Sequence, residues 1–311
     1  MLTDTKNMSY ANFNITFGKD DTPMLEYFID VIFPAMTSGY KRSDRDGKTY
    51  YFFNEVKIIE IDNEYYLVGN FIKSTTYEVN TVVRNGNLVS DHNEVPTAPY
   101  SRFIVFLKNH RMIFIKNESS SPDIRSFQSI LRQTLFNYIR IKNKQIEDKD
   151  KIIPVALVNV ISMPISSELT DAFKNIKKIT ELRFKFCPLN ADIGFSQLAE
   201  NIKTDMKDLG SKNTYLSFTS PNIDKAQDMI KRSAGAAEFR VKAKDNEGNT
   251  QTIQTDKLIN NQKISMTGDI SHNNDKYLVS LAMKNDIMKQ VSDENKKLYE
   301  KIKDKIAKLL Q

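Results

Sequence analysis

Residues 181–186 and 239–244 hold the pattern of side chains best suited to chemistry. The first reads Glu181-Leu182-Arg183-Phe184-Lys185-Phe186 and the second Phe239-Arg240-Val241-Lys242-Ala243-Lys244. In an extended chain successive side chains point to opposite sides. Leu182, Phe184 and Phe186 therefore share one side with Arg183 and Lys185 on the other, and Arg240, Lys242 and Lys244 oppose Phe239, Val241 and Ala243. If the two segments are neighbours, five cations share an open sheet face, the surface that small α/β RNA-binding domains present to phosphates. Such surfaces usually interleave aromatic rings that stack bases, and neither segment places one among its cations. An ordinary solvated face has the same alternation. Arg132, Arg140, Lys142 and Lys144, towards the end of a helix expected from residue 122, extend the basic surface.

A second constellation is Glu55-Val56-Lys57 within an apolar strand run. Many metal-dependent nucleases place an acid and a lysine two residues apart on a strand, with an upstream acid as second Mg²⁺ ligand. Here Asp46, or Asp44, would fill that role. A same-face ion pair explains the Glu-x-Lys spacing more simply.

Other catalytic patterns are missing. His92, His110 and His272 sit in turn-like stretches away from any Ser or Cys motif. The single cysteine, Cys187, precedes Pro188 with no base nearby and reads as a buried structural thiol. Residues 69–75 lack the second glycine of a phosphate loop, and no zinc spacing or dinucleotide fingerprint occurs. No cofactor and no metal are expected.

These residues must be positioned by a chain of 311 residues, 40% hydrophobic, which is long enough for two cores. Its 45 basic residues are nearly matched by 39 acidic ones, so a net charge of +6 is moderate and says less than the patterning does. One cysteine fits a reducing cytoplasm. There is no charged-then-apolar leader pattern and no apolar run of membrane length, so a soluble cytoplasmic protein without membrane contact is expected.

The strongest strand signal, residues 101–115, runs directly into the strongest helix signal. Two Phe- and Ile-rich runs flank Asn109-His110, read as a turn pair with Asn109 at positive φ, and both strands should be central. A serine cap at 119–121, Pro122 at the first helical position and Asp123 in the first turn then open a helix. Its apolar stripe is Ile124, Phe127, Leu131, Leu135, Tyr138 and Ile139. Ahead of this lie a strand at 10–17, a helix from 21 ended by Pro34 and Gly39, and strands at 49–61 and 65–71 turning at Asp62-Asn63. A hairpin follows across Asn85-Gly86. Polar residues 145–151 mark a change of pattern. Beyond them strands at 152–161, 179–186, 214–218 and 238–244 alternate with helices, which predicts a partly parallel sheet. Residues 276–283 read as a further strand, and 292–311 as a capped amphipathic helix that docks on the body or on a partner. The expected architecture is α+β: residues 1–147 with a mainly antiparallel sheet and two helices, and residues 148–311 with a mixed α/β sheet and the terminal helix.

In layout, the segments VKIIEIDNEYYLVGNFIK (56–73), APYSRFIVFLKNHRMIFI (98–115) and ITELRFKFCPLN (179–190) resemble a family of bacterial proteins from anti-phage defence loci. The resemblance covers most of the chain, contains no specific motif and transfers no catalytic residue. It implies a cytosolic factor that works on nucleic acid or with a protein encoded beside it. The leading expectation is a non-catalytic nucleic-acid-binding or sensing component of such a system, for DNA or RNA, using Arg183, Lys185, Arg240, Lys242, Lys244, Arg132, Arg140 and Lys142. The alternatives are a Mg²⁺-dependent nuclease built on Asp46, Glu55 and Lys57, and an interaction or inhibitor protein that assembles as a homo-oligomer.

Overall fold

The computed structural model describes residues 3–163, 166–188, 197–233, 235–255, 258, 262–267, 270 and 275–310. Strand β1 (Thr3–Phe17) is the spine of the larger sheet. Its residues from Met8 to Phe17 are buried on both faces, which its near-continuous run of apolar and small polar side chains allows. The short β2 (Thr22–Pro23) folds back on its end. Pro23 leads into a 3-10 turn (Met24–Tyr27), a π-helical turn (Phe28–Ile32) and α1 (Phe33–Thr37). Pro34 does not end this helical run as expected. It lacks only one amide donor, the turn before it widens, and the chain continues to Gly39, whose φ of +72° makes the stop.

Strands β3 (Lys41–Ser43), β4 (Tyr50–Ile61), β5 (Glu64–Arg84) and β6 (Asn87–Thr97) follow. Asp62-Asn63 and Asn85-Gly86 all have positive φ, as two-residue primed turns require. The near half of β5 lies between β4 and β7 (Tyr100–Phe106), while its far half pairs with β6 alone as a projecting two-stranded arm. β8 (Arg111–Lys116) completes the central hairpin. The positive φ of that turn falls on His110, not Asn109, and this turn residue is fully buried.

Helix α2 (Ile124–Asn143) is capped by Asp123, whose carboxylate accepts the Ser126 amide at 2.8 Å; the cap is this acid, not the preceding serines. Phe127 is its anchor, with the rings of Phe13, Phe53, Phe71, Phe103 and Phe114 around it at 5.2–6.3 Å, mostly edge-on.

The second half contributes β9 (Ala156–Ser162), α3 (Ser166–Phe173), β10 (Ile176–Phe186), α4 (Gln197–Asp208), β11 (Thr214–Thr219), α5 (Ile223–Arg232) and β12 (Ala237–Asp245). After these come β13 (Thr250–Gln254), β14 (Gln262–Thr267), α6 (Asp275–Ala282), α7 (Asp286–Lys289) and α8 (Asp293–Ala307). The fold is α+β. β9 and β14 lie beyond residue 147 yet both pair with β1, so the larger sheet draws on each side of the 145–151 segment. The smaller sheet has the order β11-β10-β12-β13, and all its pairings are antiparallel, not partly parallel. Alternation of strands and helices sets how much chain separates two strands, not the end of the sheet at which the second begins. Residues 276–283, read as a strand, lie largely in α6. The terminal helix α8 docks on the body, with Tyr299, Ile302 and Ile306 in the main core. No helix among the described residues is long and apolar enough to cross a membrane.

Candidate functional site

β10 and β12 are neighbours, and their register is the one that gathers charge. Arg183 stands directly opposite Arg240, Lys185 opposite Glu238 and Glu181 opposite Lys242. The other side of these strands buries Leu182, Phe184, Phe186, Phe239, Val241 and Ala243 against Ala226 and Ile230 of α5 and Met206 of α4. That burial locks the alternation, because a one-residue slip would put every cation into the core.

The polar face does not open onto bulk solvent alone. It looks across a cleft of about 550 Å³ at helix α2 and strand β9. Helical spacing explains the far wall: Ile124, Phe127, Leu131 and Leu135 point into the core, so Arg125, Gln128, Ser129 and Arg132 line the opposite stripe. Two hydrogen bonds pin that wall, from the Val160 amide to Gln128 Oε1 at 2.7 Å and from Arg132 Nη2 to the Val158 carbonyl at 3.2 Å. From β3, Arg42 Nη1 donates to Ser129 Oγ at 3.1 Å and adds a cation beside it. The cleft thus collects Arg125, Arg132, Arg183, Lys185 and Arg240, with Asp123 and Glu238 as its carboxylates.

Part of this charge is internally engaged. Lys242 Nζ lies 2.7 Å from Glu181 Oε2, Arg183 Nε 3.7 Å from Glu181 Oε1, and Lys185 Nζ 3.3 Å from Glu238 Oε2. The Lys242 hydrogen bond holds the Glu181 carboxyl below the usual carboxylate range. Arg240 is exposed and has no carboxylate at ion-pair distance among the described residues.

The sequence reading missed one residue of this face. Tyr215 on β11 lies directly opposite Lys185, is 59% exposed, and has the Arg183 guanidinium carbon 5.8 Å from its ring centroid. The segment Thr214-Tyr215-Leu216-Ser217-Phe218 does alternate, with Leu216 and Phe218 packed on the core, so the signal was present. Only the pairing of β11 with β10 shows that Tyr215 shares the cationic side.

The remaining expected residues lie elsewhere. Arg140 and Lys142 are exposed at the far end of α2, about 12 Å or more along the axis from Arg132, with Lys142 over the Tyr138 ring. Lys244 is exposed at the far end of β12, opposite Lys178 and outside the cleft. Glu55 is part of a bulge between Asn54 and Lys57, with φ of +51°, and its carboxylate accepts from Asn70 Nδ2 at 2.9 Å. Asp46 caps the turn before β4, accepting the Lys48 amide at 3.1 Å. The five residue steps from Tyr50 to Glu55 span roughly 16 Å of strand, so Asp46 is not beside Glu55 and Lys57. Among the described residues no three His, Cys, Asp or Glu side chains cluster as metal ligands.

His110 Nδ1 lies 3.3 Å from Asn295 Nδ2 in the interior, His92 is exposed on β6, and His272 lies outside the described residues. Cys187 is buried with its Sγ 3.6 Å from Asn213 Oδ1, and burial pushes its thiol up to about 11, which suits a structural role.

Residues 6–282 match a family model described as a domain of unknown function (DUF4747), and the chain belongs to that family. No curated protein and no solved structure matches it.

Proposed function

We propose that this family member is a non-catalytic nucleic-acid-binding component that holds phosphates in the cleft between α2 and the smaller sheet. One observation carries the reading: Arg132 from α2 and Arg183, Lys185 and Arg240 from β10 and β12 line the same cavity despite their separation in sequence. Arg183 and Arg240 form a like-charge cross-strand pair, whose repulsion a bound phosphate relieves. Binding is favoured over cleavage because the cleft's carboxylates, Glu238 and Asp123, are already engaged by Lys185 and the Ser126 amide, as is neighbouring Glu181 by Lys242. The layout resemblance supports the setting: a cytoplasmic protein of a defence locus that works on nucleic acid or with a protein encoded beside it.

The test is a binding titration of nuclease-treated protein against single-stranded DNA, duplex DNA and RNA at two salt concentrations with Mg²⁺ present, followed by gels of the nucleic acid. The expected result is binding that weakens steeply with salt, by about 0.7 to 0.9 logarithmic units per decade of salt for each neutralised phosphate, with products of unchanged length. Replacing Arg183, Lys185, Arg240 and Lys242 by Ser should abolish it. Salt-insensitive affinity, affinity unchanged in that variant, or shortened products would overturn the reading.

A further inference from the structure

We infer that the ligand of this cleft is a single-stranded segment, one unpaired base of which stacks on Tyr215 while its flanking phosphates meet Arg183 and Arg240. The inference rests on the nucleic-acid reading above and narrows its substrate class.

A lone exposed aromatic is ordinary on a protein surface. Tyr215 is distinguished by its company. It lies in the wall of the cleft, opposite Lys185 across the strand pair and two residues from Ser217, which in turn is opposite Arg183. The Arg183 guanidinium sits over one part of the ring while more than half of the residue remains in solvent. An arginine over part of an aromatic ring on a cationic sheet face forms a stacking platform, since a base can stack on the open part of the ring or on the guanidinium plane.

Size and geometry then select among nucleic acids. At about 550 Å³ the cleft falls within the roughly 300–1,000 Å³ of small-ligand sites, room for a nucleotide or two. Its α2 wall is fixed, because α2 is pinned to β9 by Gln128 and Arg132 and anchored in the core by Phe127. In a duplex the base faces are covered by their neighbours, and only an unpaired base presents one to a protein ring. β11 is the edge of its sheet, with no strand paired beyond it among the described residues. Gln254, directly opposite Arg240 on β13 and also in the cleft wall, supplies an amide for a base edge. The chemistry recognised is a phosphate next to an unpaired base, which oligonucleotides and free nucleotides share.

The chain contains no tryptophan, so Tyr215→Trp creates a single fluorescent reporter at the proposed stacking site. Full-length wild type, Tyr215→Trp, Tyr215→Phe and Tyr215→Ala would be titrated with 12-residue oligo(dT) and oligo(rU), a duplex of mixed sequence, and uridine or thymidine monophosphate. Because Tyr215 is largely exposed, its variants should keep the wild-type melting temperature. The expected pattern is single strands bound at least tenfold tighter than duplex, a loss of about tenfold for single strands in Tyr215→Ala, near wild-type affinity in Tyr215→Phe, and quenching of the indole emission of Tyr215→Trp when single strands bind. An unchanged salt dependence in Tyr215→Ala would mark the lost contact as stacking. Equal single-strand affinity in Tyr215→Ala, or an unquenched reporter while binding persists, overturns this inference and leaves the phosphate-binding reading standing. Failure of the wild type to bind any polymer removes both. Mononucleotide affinity equal to that of the 12-mer overturns the single-strand assignment in favour of a soluble nucleotide.

Discussion

Arg183 and Arg240 are directly paired across β10 and β12, a placement in which like charges cost rather than contribute stability. Glu181 offsets this only on the Arg183 side, at 3.7 Å. The pair is therefore a small stability cost on the wall of a cleft, and an anion bound between the two guanidiniums would offset it.

Arg240→Gln should separate those two roles. The variant is expected to gain about 0.5 kcal/mol of stability in urea titration, within the range for cross-strand charge pairs, while binding nucleic acid more weakly with a salt slope shallower by roughly one phosphate's worth. Loss of stability together with unchanged binding would place Arg240 among the structural residues.

Glu181 is expected to act in the opposite direction. Its carboxyl is held below the usual range by the Lys242 hydrogen bond, so the ion pair is intact at neutral pH. A depressed carboxylate stabilises the fold above its unfolded pKa, and that contribution fades as the pH falls through the lower folded value. Protonation also frees Lys242 and Arg183 for phosphates. Glu181→Gln should tighten binding about twofold to fivefold at pH 7, and its advantage over wild type should shrink as the pH drops below the carboxylate range. Parallel pH profiles for the two proteins would exclude Glu181 from control of the cleft.

The local parts of this structure were legible in the sequence, and the distant ones were not. The stripe on α2, the primed turns at Asp62-Asn63 and Asn85-Gly86, and the alternation of β10 and β12 depend on neighbours a few residues away. The adjacency of β10 and β12 stood only as a condition in the sequence, because matching alternation does not say which strands pair; the pairing itself is a feature of the fold. By contrast, β1 pairs with β9 and β14 more than a hundred residues later, and nothing in its own run of buried residues names those partners. The alternation of its segment marks Tyr215 as outward-facing but not as a site residue, for the same reason: its face has meaning only beside β10. The segment forming α6 was misread because its apolar cluster fits a strand or a buried helix equally, and the deciding contact is the distant Arg102, whose partner is Asp275 at the first turn of that helix.

That contact gives the sharpest stability prediction. Arg102 Nη2 and Nε reach Asp275 Oδ2 and Oδ1 at 2.5 and 3.0 Å, and Nη1 donates to Asn70 Oδ1 at 3.1 Å, with both charged side chains buried. Asp275→Ala would strand a buried guanidinium and should cost about 3–5 kcal/mol in urea titration. The double variant Arg102→Met, Asp275→Leu should recover most of that loss, since removing both charges also removes their desolvation cost. A double variant as unstable as the single one would mean that the pair is needed for packing beyond its charge.

Helix α8 decides whether the chain's end is an assembly device or part of the body. Tyr299, Ile302 and Ile306 lie in the main core, the Tyr65 amide donates to the Tyr299 hydroxyl at 2.8 Å, and burial pushes that hydroxyl up to about 12. Deleting residues 296–311 would remove three core side chains and a buried acceptor at once, so the expected product is an unfolded or aggregated chain, not a folded monomer that has lost a partner. Tyr299→Phe isolates the hydrogen bond: it keeps the ring, leaves the Tyr65 amide without its acceptor, and should cost about 1–3 kcal/mol with the oligomeric state unchanged. A deletion variant with the wild-type melting temperature and a smaller assembly by light scattering would reverse this, because it would show that the helix contributes to a partner what the structure assigns to the core.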